Sequence, residues 1–194
     1  MGQDVSFIDV QFKTILVNST PASQIAKDAA GNWVAIDANG DGEIQLTEAA
    51  SIKHLNIPGN GNVTSVVGIK SFVNAEEIHV DFLDWIDALD LSNMPNLKVL
   101  SALDNQFLTT FNVSGSTALE SVSVSGTDVS TINLSGLPVL QNVAVYNNST
   151  TSVLFTGSNA ITNLNLGNNA LTSVDLQQFP LLETVELIGN NLTV

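Results

Sequence analysis

Along most of this chain, apolar residues come in alternating pairs. Ile78/Val80, Leu100/Ala102, Val122/Val124, Val143/Val145, Leu164/Leu166 and Val185/Leu187 follow one another at steps of 22, 22, 21, 21 and 21 residues. Alternation with a spacing of two predicts a short strand with one buried face. Other columns keep the same period. One holds Leu97, Leu119, Leu140, Ile161 and Leu182, and another holds Asn105, Thr127, Asn148, Asn169 and Asn190. A second set of apolar pairs, Phe111/Val113, Ile132/Leu134, Val153/Phe155 and Val174/Leu176, predicts an extended segment on the opposite wall of each turn. Pro95, Pro138 and Pro180 punctuate the return.

Each unit has the form Leu-x-x-Leu-x-Leu-x-x-Asn-x-Leu-x-x-Leu-x-Leu, the leucine-rich repeat pattern. The stretch from Ile161 to Leu182 is nearly its ideal form. One unit cannot bury its apolar face alone, so neighbours must stack into a continuous core. The expected fold is therefore a right-handed leucine-rich repeat solenoid of short parallel β-strands in 21–22-residue repeats, with a small helical N-terminal cap. A degenerate first unit runs through Leu55–Ile57, Val63–Val66 and Ile69–Ile78, with a glycine-rich loop at Pro58–Asn62. About seven turns fill residues 52–194, the last incomplete.

Residues 1–51 do not follow the period. Ile8, Phe12, Ile15 and Leu16 fall at helical spacing, which predicts a helix over Ile8–Val17. A second helical stretch is expected over Ala22–Ala30, with Ser19 or Thr20 as its cap and Gly31 as its end. This head would cover the apolar cross-section of the first repeat.

Composition narrows the function. Five Lys and no Arg face nineteen Asp and Glu, a net charge of −14. Phosphate contacts need basic side chains, so nucleic acid and anionic lipid are poor partners. There is no cysteine, which excludes disulfides and thiol chemistry. The two histidines, His54 and His79, leave little material for a histidine metal cluster. No apolar run approaches the ~20 residues of a membrane span.

One motif carries metal chemistry. Asp37-Ala38-Asn39-Gly40-Asp41-Gly42-Glu43-Ile44-Gln45-Leu46-Thr47-Glu48 matches a twelve-residue EF-hand calcium loop. Asp37, Asn39 and Asp41 supply oxygen ligands at positions 1, 3 and 5, and Gly42 makes the sharp turn at position 6. Glu43 offers its backbone carbonyl, Gln45 acts directly or through water, and Glu48 closes the set with a bidentate carboxylate. Ile44 packs the loop onto apolar structure. An acidic turn that merely caps a helix starting near Thr47 is the competing reading. With three carboxylates among the ligands, the expected calcium affinity is weak, on the order of 10⁻⁴–10⁻³ M.

This loop, followed by the Leu55-Asn56-Ile57 strand and compact repeats, resembles the secreted leucine-rich repeat proteins of the Bacteroidetes from Phe7 to Val194. The resemblance implies export and an extracellular or cell-surface interaction role; the expectation is that a leader has been removed and Met1-Gly2 added. Two turns depart from the tidy pattern: Leu103–Phe107 carries an extra residue, and Tyr146–Thr151 lacks the usual Leu after Asn.

A protein or glycan partner is expected on the outward strand positions, which present His79, Asp81, Phe82, Trp85, Val99, Leu103 and Tyr146 in the aromatic-rich and apolar places. The rest of that face is Ser and Asn. A structural or adhesive spacer is the alternative role. His79, Asp81 and Ser101 invite a Ser-His-Asp comparison, but a flat repeat face offers no pocket or oxyanion hole, so no enzyme is expected. Asp81, Asp84, Asp87 and Asp90 recur every third residue as a solvated acidic edge. At the far end, Val185, Leu187, Leu192 and Val194 would face outward. That edge calls either for further chain or for end-to-end self-association.

Overall fold

Seen in a computed structural model that describes residues 2–59 and 62–193, the periodic pairs become strands stacked at the repeat spacing. The head contains helix α1 (Val10–Val17), a 3-10 turn at Pro21–Ser23, strands β1 (Ala26–Lys27) and β2 (Trp33–Val34), and a one-turn helix α2 (Leu46–Ala49). The repeats contribute β3 (His54–Asn56), β4 (Glu77–His79), β5 (Ala88–Asp90), β6 (Val99–Leu103) and β7 (Thr110–Asn112). They continue with β8 (Ser121–Ser125), β9 (Thr131–Asn133), β10 (Asn142–Tyr146), β11 (Ser152–Leu154), β12 (Asn163–Asn165) and β13 (Thr184–Glu186). The principal sheet has the order β13-β12-β10-β8-β6-β4-β3-β1-β2. Its pairs from β3 to β13 are parallel, so the chain is a parallel leucine-rich β-solenoid with turns of about 22 residues. The opposite wall holds the parallel pairs β5–β7 and β9–β11.

The inward columns form one core. Ile78, Val80, Leu100, Ala102, Val122, Val124, Val143, Val145, Leu164 and Leu166 are all buried, and so are Leu97, Leu119, Leu140 and Ile161. Burying an aliphatic side chain contributes roughly 1.5–3 kcal/mol, which becomes available only when the next turn stacks on it. In the last turn Val185, Ile188 and Leu192 are 46%, 72% and 38% exposed, whereas Leu187, expected to face outward, is partly buried against the core; Val194, and Asn60 and Gly61 of the expected glycine-rich loop, lie outside the described residues.

Polar ladders fill the places where the strands turn. Asn105 is fully buried; its Nδ2 donates to the Val80 carbonyl at 2.9 Å and its Oδ1 accepts the Leu83 N–H at 2.8 Å, both in the preceding turn. Asn148, Asn169 and Asn190 repeat the donation, to the carbonyls of Val124, Val145 and Leu166. A hydroxyl column does the same on the other wall, where Ser116 and Ser158 donate to Leu91 and Leu134. These side chains supply partners for backbone groups that a tight turn would leave bare.

The head is only partly helical. In α1, Asp9 caps the first turn by accepting the Phe12 N–H at 2.8 Å, and Phe12 and Leu16 are buried. The other oxygen of Asp9 accepts both the N–H and the hydroxyl of Thr64, each at 2.7 Å, which ties the helix to the first repeat. The helix expected over Ala22–Ala30 does not form. Thr20 caps a single 3-10 turn, Gln24 then adopts a left-handed conformation at φ 55°, and Ala26–Lys27 pair antiparallel with Leu55 and His54. Pairing with a distant strand wins over the helical propensity of an alanine-rich segment. Among the described residues, no helix is long and apolar enough to cross a membrane.

Between the first repeats, Glu76 accepts from Lys98 at 2.7 Å and from Lys53 at 2.9 Å. The hydrogen bonds from Lys98 and then Lys53 hold its carboxyl at about 2, below the ordinary 4.5. A depressed carboxylate contributes stability that is complete above its unfolded value and lost as pH falls through the folded one. Thermal melts of the parent should therefore decline more steeply than those of Glu76→Gln between about pH 4.5 and 2. Parallel profiles would show that the pair adds nothing.

Candidate functional site

The loop from Asp37 to Glu48 is built by its own side chains. Asp37 accepts the N–H groups of Gly40 at 2.7 Å and Gly42 at 2.9 Å. Asn39 Oδ1 accepts from Asp41 N–H at 2.8 Å, and Asp41 Oδ1 accepts from Glu43 N–H at 2.9 Å. Glu48 spans the loop: one oxygen accepts from Ala38 N–H and the other from Gln45 N–H, both at 2.9 Å. Gln45 is nearly buried and joins Asn39 to Asp41. Gly42 sits at φ 84°, the left-handed turn that position 6 demands. Ile44 is fully buried, as the pattern requires. Val5 N–H donates to the Ile44 carbonyl and Leu46 N–H to that of Gln3, so the N-terminal segment braces the loop's exit.

The loop's side-chain donors are oxygens, the class of ligand a hard cation takes. Hydrogen bonds from Glu43 N–H, Gln45 and Asn39 hold the Asp41 carboxyl below its ordinary value, against a smaller opposing effect of burial. Among the described residues the four lysines in ion pairs are Lys13, Lys53, Lys70 and Lys98, with Glu43, Glu76 and Asp90 as their carboxylates. The fifth, Lys27, lies over the Trp33 ring at 4.4 Å. Asp37, Asp41 and Glu48 thus share one loop, and among the described residues none of them pairs with a lysine.

The second candidate region lies where the chain leaves β4 and β6. Phe82, Trp85 and Phe107 are 55%, 57% and 52% exposed. Trp85 and Phe107 stack at 5.5 Å with a 22° tilt. Phe107 was not among the residues expected from sequence. Its one signal is that it follows Trp85 by a full repeat, so the turn geometry superposes them. Phe82 occupies a backbone column filled elsewhere by Asp104, Gly126, Asn147, Asn168 and Gly189, all at positive φ. Its own φ is 60°. A Cβ on Gly59 would lie 2.4 Å from that of Phe82, so only glycine fits beneath it.

The remaining expected face residues are more dispersed. Leu103, Ser125 and Tyr146 align in register across β6, β8 and β10, and Val99 lies between Glu77 and Ser121. Asp81 is committed internally, accepting the Ser101 hydroxyl at 2.6 Å and the Leu103 N–H at 2.8 Å. The Ser-His-Asp arrangement does not assemble, since Asp81 meets Ser101 directly and His79 faces Glu77. Asp90 pairs with Lys70, so the every-third-residue aspartates do not converge on one point.

His79 instead has a partner that sequence reasoning set aside. His54 and His79 meet at a ring distance of 5.2 Å, with Glu77 between them. Burial holds the His54 imidazole below its ordinary value, against the raising pull of its hydrogen bond to Glu77. The signal was available: His54 lies about one repeat before Glu77 and His79, which share the outward face of the neighbouring strand.

The chain matches no family model and no curated protein sequence. Solved structures it is similar to include internalin C2 from Listeria monocytogenes, at 17% identity over 87% of this chain and 97% of that one, with a TM-score of 0.38. A functional domain of InlJ from Listeria monocytogenes that includes a cysteine ladder overlaps at 14% identity and TM-score 0.42, over 100% of this chain but 55% of that one. The internalin InlF from the same species overlaps at 16% identity and TM-score 0.26, covering 89% and 85%. Overlaps this loose leave function to the chain's own surface.

Proposed function

We propose that this protein is a secreted or surface-displayed interaction module. It grips a protein partner through Phe82, Trp85 and Phe107, while a calcium-loaded head fixes the first turns. The observation that carries this reading is the left-handed Phe82 with its ring in solvent. A left-handed L-residue costs roughly 1–2 kcal/mol, and the neighbouring turns avoid that cost with Gly, Asn or Asp. Strain of this kind persists at ligand clamps, where it serves binding.

Charge specifies the partner's chemistry. Asp84, Asp87 and Asp104 are exposed around the aromatic patch, and the chain carries a net charge of −14. A partner that presents an apolar or aromatic residue ringed by Lys or Arg complements this surface. In the head, Asp37, Asn39, Asp41 and Glu48 would hold calcium with the Glu43 carbonyl and Gln45. The ion supplies positive charge to three carboxylates that lack one. The resemblance to secreted repeat proteins supports an extracellular setting, where calcium is abundant.

Phe82→Asn tests both halves of the claim. It should raise stability by about 1 kcal/mol, or roughly 2–4 °C in a chain of this size. Against arrays of basic peptides and proteins, it should lose the salt-sensitive binding of the parent, as should Trp85→Ala and Phe107→Ala. A lower melting temperature would remove the strain interpretation. Binding that survives all three changes would move the contact to another surface, no specific binding by the parent would leave the spacer role, and salt-insensitive binding to a glycan array would replace protein with sugar.

A further inference from the structure

We propose that His54, Glu77 and His79 form a binding site for a divalent transition-metal ion of the zinc–copper class, on the outer face of the principal sheet. His54 Nδ1 lies 2.8 Å from Glu77 Oε2, and His79 Nε2 lies 3.9 Å from the same oxygen. One ligand atom from each residue falls within 4.8 Å of the others. In a zinc tetrahedron with ~2.0–2.1 Å bonds, neighbouring donors sit ~3.3 Å apart. The observed separations straddle that value, so rotamer adjustment alone closes the set.

The backbone holds these donors in place. His54 and Glu77 are direct register partners on β3 and β4, and His79 follows Glu77 two residues later on the same face. Trp33 packs edge-on against His54 at 5.6 Å and orients its ring. His54 and His79 side chains are 16% and 29% exposed, so the imidazoles are sheltered yet open to the face.

The donor set determines the class of ion. Two imidazole nitrogens and one carboxylate suit zinc, copper or nickel, whereas calcium and magnesium take oxygen. This site is therefore distinct from the Asp37–Glu48 loop in ligands and in location. Three protein ligands leave a fourth position for water, the pattern of an open rather than a closed zinc site. A metal here would also tie β3, which pairs with the head through β1, to β4 of the repeats.

The test is zinc titration by calorimetry in the Asp37→Asn/Glu48→Gln background, which disables the calcium loop and leaves this site intact. Zinc should saturate at one equivalent. His54→Ala and His79→Ala should each weaken binding by more than the ~10–100-fold typical for loss of an outer-shell partner. Copper(II) offers a reading that needs no substitution at the site. Its electron paramagnetic resonance spectrum should carry coupling from two imidazole nitrogens, and copper should quench Trp33 fluorescence in Trp85→Phe. No one-equivalent zinc binding, binding unchanged in the histidine variants, or a copper spectrum without two-nitrogen coupling would each overturn the proposal.

Discussion

Calcium at 10 mM should raise the melting temperature of this protein by about 5–10 °C over the same sample in chelator. The estimate takes a dissociation constant on the order of 10⁻⁴ M, so that ligand exceeds it about a hundredfold and stabilises the native state by ~2.7 kcal/mol. For a chain of this length, each kcal/mol moves the midpoint by roughly 2–4 °C. The gain is centred on the head, because Ile44 is buried there and the loop's exit pairs with Gln3–Val5. Asp37→Asn and Glu48→Gln should flatten the response. The comparison is between shifts rather than absolute midpoints, since Glu48 also accepts three loop N–H groups and its loss weakens the metal-free protein as well. Identical melts with calcium and with chelator would discard the metal reading and leave an acidic turn that caps α2.

Asn105→Ala should be among the most damaging single changes in the solenoid. The side chain is fully buried, and its removal strands the Val80 carbonyl and the Leu83 N–H in the interior. Each unsatisfied buried group costs ~1–3 kcal/mol, so a loss of about 2–6 kcal/mol is expected in urea unfolding. Asn105→Asp should be no better, because it keeps the acceptor, loses the donor and buries a charge. A loss under about 1 kcal/mol would mean that water reaches both backbone groups once the amide is gone.

The repeats were legible because one period governs both their burial and their hydrogen bonding. Leu100, Val122 and Val143 are core residues for the reason that put them in one column, and the asparagines turn the chain where the column predicted. The head was less legible because its structure depends on distant pairing. Nothing local in Ala22–Ala30 reveals that Ala26 faces Leu55, or that Gln24 breaks the backbone at φ 55°. The EF-hand-like loop stood out because its own residues supply nearly all its contacts. The Trp85–Phe107 stack and the His54–Glu77–His79 cluster lay between these extremes. Each joins residues about one repeat apart, so both become visible once the sequence is wrapped at its period.

That wrapping also makes length a quantised property of this molecule. Many bonds between turns join residues 21 or 22 positions apart, as from the Leu137 N–H to Ser158 Oγ and from the Met94 N–H to Ser116 Oγ. Excising a whole turn brings an equivalent strand edge against an equivalent strand edge, and every ladder closes again. Excising one residue more or fewer exchanges the buried and exposed faces of the strand it touches. Such a chain can be lengthened or shortened in evolution by entire turns at little structural cost, while changes of a few residues are confined to its loops and its head.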